Sequence, residues 1–220
     1  MKKTSSLATL LIFMSGLVWS CSMDQSVEGE STSTLERVLF QDDFSNDQSG
    51  WPKVRTDEGI TDYQDGMYRI LVNLENQDFF GYPGLSLQPD VRIEVDATKV
   101  AGSDDNDFGL LCRYQDNNNF YQFLISSDGY VGILKYVDGS MQNLGAETLL
   151  ENDAVHTGNA KNHIRADCIG DTLTLYVNGE QVSTVTDTSF GGYGDVGVFA
   201  GTYDTPGTDI YFDNFVVVGQ

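Results

Sequence analysis

Past residue 38 the chain repeatedly alternates apolar and polar side chains with a period of two, and no stretch shows a helical period. Met67 to Leu74 (MYRILVNL), Val91 to Val100 (VRIEVDATKV) and Phe108 to Tyr114 (FGLLCRY) each place large apolar groups on one face of an extended backbone. The same pattern predicts strands over Phe120 to Ser126, Tyr130 to Val137, His163 to Ile169, Thr172 to Val177, Gln181 to Thr186, Val196 to Gly201 and Asp209 to Val218. Asp65-Gly66, Asp128-Gly129, Asp138-Gly139 and Asn178-Gly179 punctuate these runs, and such pairs tolerate the positive φ of tight hairpin turns. Asn178-Gly179 is the strongest hairpin signal, joining LTLYV to EQVSTV through two turn residues. Many short strands with no helices between them predict an all-β domain over residues 38–220, an antiparallel β-sandwich. No repeat of fixed length is present, which argues against a propeller or solenoid.

The first 37 residues follow other rules. Lys2-Lys3 precede an apolar run from Leu7 to Trp19 that is too short for a permanent membrane span. The run ends in Leu17-Val18-Trp19-Ser20-Cys21, which resembles the bacterial lipobox: an aliphatic residue three places before the cysteine and a small residue just before it. Trp19 is an unusual occupant of the middle position. The resemblance implies a lipoprotein signal peptide over residues 1–20, acylation of Cys21, and a lipid anchor at the cell membrane or outer membrane, on the extracytoplasmic side. Ser22 stands where an Asp would resemble an inner-membrane retention signal, which favours the outer leaflet where two membranes exist. Residues 21–37 are rich in Ser, Thr and Glu and nearly free of large apolar groups, so they are expected to form a flexible tether.

Charge narrows the partners. Thirty-three acidic residues face 12 basic ones, for a net charge of -21. That surface repels phosphate backbones and anionic headgroups, which excludes nucleic acid and leaves the lipid anchor as the only membrane contact. Cations, neutral sugars and basic proteins stay open as partners, and nothing in the sequence indicates an oligomeric state. Cys112 and Cys168, the two cysteines beyond Cys21, each fall on the apolar face of a predicted strand. Outside the cytoplasm two such cysteines commonly form a disulfide, the alternative being two buried thiols. Neither His156 nor His163 has metal-ligand spacing to them.

Four segments together resemble a known family. Asp42-Asp43-Phe44-Ser45 with Gly50-Trp51-Pro52, then FGLLCRYQDNNNFYQFLISSDGYVGI, IRADCIGDTLTLYVNGE and the closing GDVGVFAGTYDTPGTDIYFDNFVV are similar to bacterial concanavalin A-like jelly-roll domains. These domains are related to laminin-G and to the 3-keto-disaccharide hydrolase-like group, and the resemblance covers Phe40 to Val218. It implies a jelly-roll sandwich and, as the leading function, non-catalytic carbohydrate or glycoconjugate binding at the cell surface. The rivals are a glycoside-active enzyme of the 3-keto-glycoside hydrolase type and a purely structural or adhesive module, because one fold carries many functions.

Candidate residues follow from that reading. Sugar recognition uses exposed rings and a few fixed polar groups. Arg113, Tyr121 and Tyr176 occupy polar-face positions beside core strands, and Trp51 is the only tryptophan after the signal segment, though it could instead seal one end of the sandwich. The resemblance implies a structural calcium between the first and last strands, with Asp43 and Asp213 as ligands. Asp104 to Asp107 and Asp116 to Asn119 also offer hard oxygen donors, unless they merely cap turns. No catalytic residue is assigned: Glu94-Val95-Asp96-Ala97-Thr98 stops short of the three alternating acids of laminarinase-like relatives and continues a solvated face with Arg92. Gly191 to Gly197 lack a strand-then-helix context and are expected to form a turn.

Overall fold

The computed structural model describes residues 36–220, so the signal segment, Cys21 and nearly all of the expected tether lie outside the described residues. Sixteen strands and no helix are found among the described residues. They are β1 (Arg37–Asp42), β2 (Val54–Arg55), β3 (Gly59–Gln64), β4 (Met67–Val72), β5 (Gln77–Gly81), β6 (Val91–Ala101), β7 (Asn106–Asp116) and β8 (Asn119–Ile125). The second half supplies β9 (Tyr130–Val137), β10 (Ser140–Leu144), β11 (Leu150–Glu151), β12 (Lys161–Ile169), β13 (Thr172–Val177), β14 (Glu180–Thr186), β15 (Asp195–Thr202) and β16 (Thr208–Gly219). Every strand expected from the alternation is present. The β12–β13 and β13–β14 hairpins pair antiparallel, and Asn178 and Gly179 take φ of 51° and 88° at the tight turn predicted for them.

Two antiparallel sheets form the domain. The first runs β14-β13-β12-β6-β16-β4-β3-β2, with β1 also paired to β16. The second runs β10-β9-β8-β7-β15-β5, with β11 also on β9. Their facing sides supply one core, in which Ile93 and Val95 of β6 meet Phe108 and Leu110 of β7, Phe123 of β8 and Phe212 of β16. Each such fully buried side chain contributes about 1.5–3 kcal/mol by leaving water. Cys112 of β7 and Cys168 of β12 are bonded to each other, so the expected disulfide crosses the core from one sheet to the other. It closes a loop 56 residues long, a constraint on the unfolded chain of roughly 4 kcal/mol.

Several sequence expectations change here. Trp51, Arg113 and Tyr121 are only 3%, 3% and 0% exposed, which removes all three from any sugar-binding surface. Trp51 packs edge-on against Phe44 and Phe215, with Tyr68 beside it, and seals one end of the sandwich. Tyr121 pairs with Cys112 across β7–β8 and so shares its inward face; its hydroxyl donates to Asp187 Oδ1 at 2.6 Å. Arg113 sits where the β7–β8 register shifts, with φ of 49°. The irregularity ends the alternation that placed Arg113 outward. Its guanidinium instead donates to the carbonyls of Pro89, Gly170 and Phe190, tying three loops together.

Candidate cleft on the second sheet

The second sheet differs from the first in being buried on both sides. Its central strands β7, β8 and β15 have almost no exposed residue. On the side away from the main core, Leu111, Phe120, Leu124, Leu134 and Phe199 form a second apolar cluster, flanked by Phe80, Tyr82 and Tyr136. The rings make a ribbon: Tyr82 lies 4.6 Å from Tyr114, Tyr114 5.6 Å from Phe120, and Phe120 stacks on Tyr136 at 4.6 Å and 14°.

At one end of this face lies a cavity of about 250 Å³. Asp78 of β5, Asp107 of β7, Gln122 of β8, Tyr136 of β9 and Asn143 of β10 line it, with Tyr203 just beyond β15. The floor is explained by register. Gly201 of β15 pairs with Asp78 on one side and Asp107 on the other. A methyl group on Gly201 would collide with Oδ1 of both carboxylates, so the two acids lean over the same glycine and fill the place of one side chain. Glycine is needed at 201 for space.

The electrostatics of the pair are unusual. Gln122 Nε2 donates to Asp78 Oδ2 at 3.1 Å, whereas Asp107 Oδ1 is buried without a partner. No Lys, Arg or His is among the lining residues. Burial, then the nearby charges of Asp78 and Asp105, push the Asp107 carboxyl well above the usual carboxylate range. Burial also raises Asp78, against the opposing hydrogen bond from Gln122. Tyr136 is pushed up to about 12 by burial and by the charges of Asp78 and Asp107. Tyr203 rises for the same reasons. Such a cleft holds apolar surface for the faces of a ring and fixed polar groups for hydroxyls or a cation.

At the other end of the face, Tyr82, Tyr114, Tyr193 and Asp195 border a wider hollow of about 670 Å³. Tyr193 projects into water, 69% exposed, which is rare for so large a ring in this molecule.

The remaining sequence-predicted residues lie elsewhere. Tyr176 belongs to the first sheet, where the Arg165 guanidinium covers its ring at 4.5 Å. Asp43 lines a cavity of about 340 Å³ with Asp42, Asn46, Ser49 and Asn214, but Asp213 is not part of that lining. The buried acid there is Asp42, whose Oδ2 has no partner, so a structural cation at this end would find Asp42 and Asp43 with the amide oxygens of Asn46 and Asn214. Glu94 and Asp96 hold His163 at 3.3 and 2.9 Å on the outer face of the first sheet, and each acid is also paired with a base, Glu94 with Arg92 and Asp96 with Lys161, both at 2.7 Å. Of the cleft acids, sequence reasoning singled out only Asp107, as part of an oxygen-rich loop. Asp78, Gln122, Tyr136 and Tyr203 were missed, since only the β5–β15–β7 pairing brings them together.

No protein-family profile and no curated protein matches the chain by sequence. Solved structures do resemble it. The carbohydrate-binding module CBM66 from Bacillus subtilis aligns with 77% of this chain and 96% of its own, at 22% identity and a TM-score of 0.51. A β-glucanase from Bacillus licheniformis aligns over 84% of this chain and 98% of its own, at 13% identity and a TM-score of 0.58. The catalytic domain of an endo-1,3-β-glucanase from Thermotoga petrophila does so over 84% and 98%, at 9% identity and 0.59. At these identities the likeness concerns architecture alone. The described domain is a concanavalin A-like jelly-roll sandwich.

Proposed function

We propose that this chain is a lipid-anchored, extracytoplasmic module that binds carbohydrate, without hydrolysing it, in the cleft on the outer face of the second sheet. The single observation that carries the reading is the composition of that cleft. Tyr136 and Tyr203 stand beside Asp78, Asp107, Gln122 and Asn143, an arrangement of rings and hydrogen-bonding groups suited to a sugar. Proteins of similar fold, a carbohydrate-binding module and two glucanases, agree with that ligand class. The lipobox-like run ending at Cys21 and the Ser/Thr/Glu-rich segment after it support the anchor and tether.

A second reading, a glycoside-active enzyme, is favoured by the convergence of Asp78 and Asp107 with raised carboxyl pKa values. Glycoside hydrolysis needs carboxylates that flank the scissile bond, about 5–10 Å apart. Here both acids close on the space above one glycine, which leaves no room between them for that bond. Binding is therefore the better fit.

A glycan array probed with the purified chain, beside Tyr136→Ala and Tyr176→Ala, tests the proposal. Binding should appear with the wild-type chain, fall about two- to tenfold with Tyr136→Ala, since an aromatic contact is worth about 0.5–1.5 kcal/mol, and persist with Tyr176→Ala. Shortened glycans among the products would move the assignment to the enzyme.

A further inference from the structure

We propose that Asp78 and Asp107 hold a divalent cation of the calcium class on the floor of the cleft. The inference goes beyond the glycan reading, since it requires no sugar. Two buried carboxylates face each other over Gly201, and the Oδ1 atoms that converge there have no donor: Asp107 Oδ1 is unpartnered, while Gln122 engages only the far oxygen of Asp78. Asp107 is 7% exposed, and the cavity opens directly onto it. The next charged neighbour, Asp105, has the same sign, and no lining residue is basic. Two like charges in that position are neutralised either by a proton or by a cation from outside the chain, and the open cavity admits the cation.

The chemistry of the donors selects the ion. An ion about 2.4 Å from each oxygen spans the width of one side chain, as calcium does with carboxylates. Asn76, Asn143 and Tyr203 add only neutral oxygens to the wall, and no thiol or imidazole faces the cavity, which disfavours zinc and copper. Calcium accepts irregular shells completed by water, whereas magnesium demands near-ideal octahedral geometry. Among the described residues no group of three or more His, Cys, Asp or Glu side chains is placed to hold a metal. Most of the shell must therefore be neutral oxygen and water, which sets a weak affinity of about 0.1–1 mM.

Calorimetric titration of calcium chloride into chelator-treated, purified chain at pH 7, with thermal melting in parallel, tests this. The wild-type chain should bind one more ion than Asp107→Asn, and Asp43→Asn should leave that difference intact, which separates this site from the end containing Asp42. In chelator, Asp107→Asn should melt above the wild type, because the like-charge pair is gone, and added calcium should then raise its midpoint less. Gln122→Glu, which supplies a third carboxylate, should bind the ion about tenfold more tightly. Equal stoichiometry in wild type and Asp107→Asn, or no uptake up to about 10 mM calcium, would overturn the proposal. Because no sugar enters the titration, that result leaves the glycan reading standing, and a blank glycan array would not touch the ion.

Discussion

The outward faces of the two sheets solve the same problem in opposite ways. On the first sheet, charges answer charges: Arg69 meets Asp209 at 2.8 Å, Arg92 meets Glu36 at 2.6 Å, Arg165 meets Asp167 at 2.6 Å, and Lys161 and His163 share Asp96. On the second sheet, apolar rings cover one another, and among the described residues that line the cavity Asp78 and Asp107 have no basic side chain beside them. A face whose charges are paired is finished as a solvated surface. A face that buries two neighbouring acids beside aromatic rings must protonate one of them or bind a cation, and either option costs stability that a solvated surface does not lose. The contrast is a physical reason, independent of any likeness to other proteins, for placing the proposed binding site on the second sheet.

The contrast can be broken by substitution. The largest effect concerns the rings. Phe199→Ala, on the outer side of the second sheet but fully buried, should cost about 3–5 kcal/mol in urea unfolding. Tyr176→Ala, at a nominally equivalent outward position of the first sheet, should cost about 1 kcal/mol or less, the worth of a half-exposed ring under an arginine. Equal losses would mean that the two faces are not distinct.

A smaller effect, of opposite sign to the usual mutation, is expected at the acid pair. Asp107 titrates higher in the folded chain than in the unfolded one, so the folded state holds more protons between the ordinary carboxylate value near 4 and the raised one. The contribution of Asp107 to stability without calcium is therefore greatest below about pH 4 and falls as the pH rises through that window, opposite in sign to that of carboxylates such as Asp187 and Asp96, whose pKa is lowered. Asp107→Asn should remove much of the slope and stabilise the calcium-free chain at pH 7 by on the order of 1 kcal/mol. Melting curves from pH 3 to 8 in chelator check this, and an unchanged slope would place the pair in an ordinary aqueous environment. The smallest effect belongs to the paired face: Asp96→Asn should cost no more than about 1 kcal/mol, and less in high salt.

How far these features could be read from the chain varies with the local physics. Strands such as Val91–Ala101 are buried on one side, so their alternation is plain, whereas Phe108–Tyr114, Phe120–Ser126 and Val196–Gly201 were legible as apolar runs between turn residues; ten strands in all were read this way. The other six, β1, β2, β3, β5, β10 and β11, were not. In β5, Phe79 and Phe80 are adjacent because both faces of the second sheet are apolar, and β10 (SMQNL) is a largely polar edge strand. The same two-sided burial hid the site. Phe120–Ile125 has no polar phase with which to set its register, and Tyr121 was assigned to the wrong face. The cysteines escaped this difficulty, since Cys168 alternates with Ile164 and Ala166 on a strand of the first sheet and Cys112 with Phe108 and Leu110, all of them in the main core. The cleft itself depends on Gly201 standing between β5 and β7, strands that are far apart in sequence, and no local spacing encodes that pairing.

The most direct test of the claim that ligand binding lives on the second sheet is to map the footprint of a bound glycan. Backbone amide shifts of the isotope-labelled chain, recorded while titrating an oligosaccharide that scores on the array, give that footprint without any mutation. The changes should cluster at Asp78, Asp107, Gln122, Tyr136 and Thr202. A footprint centred instead on the first sheet, around Asp96, His163 and Tyr176, would contradict the account.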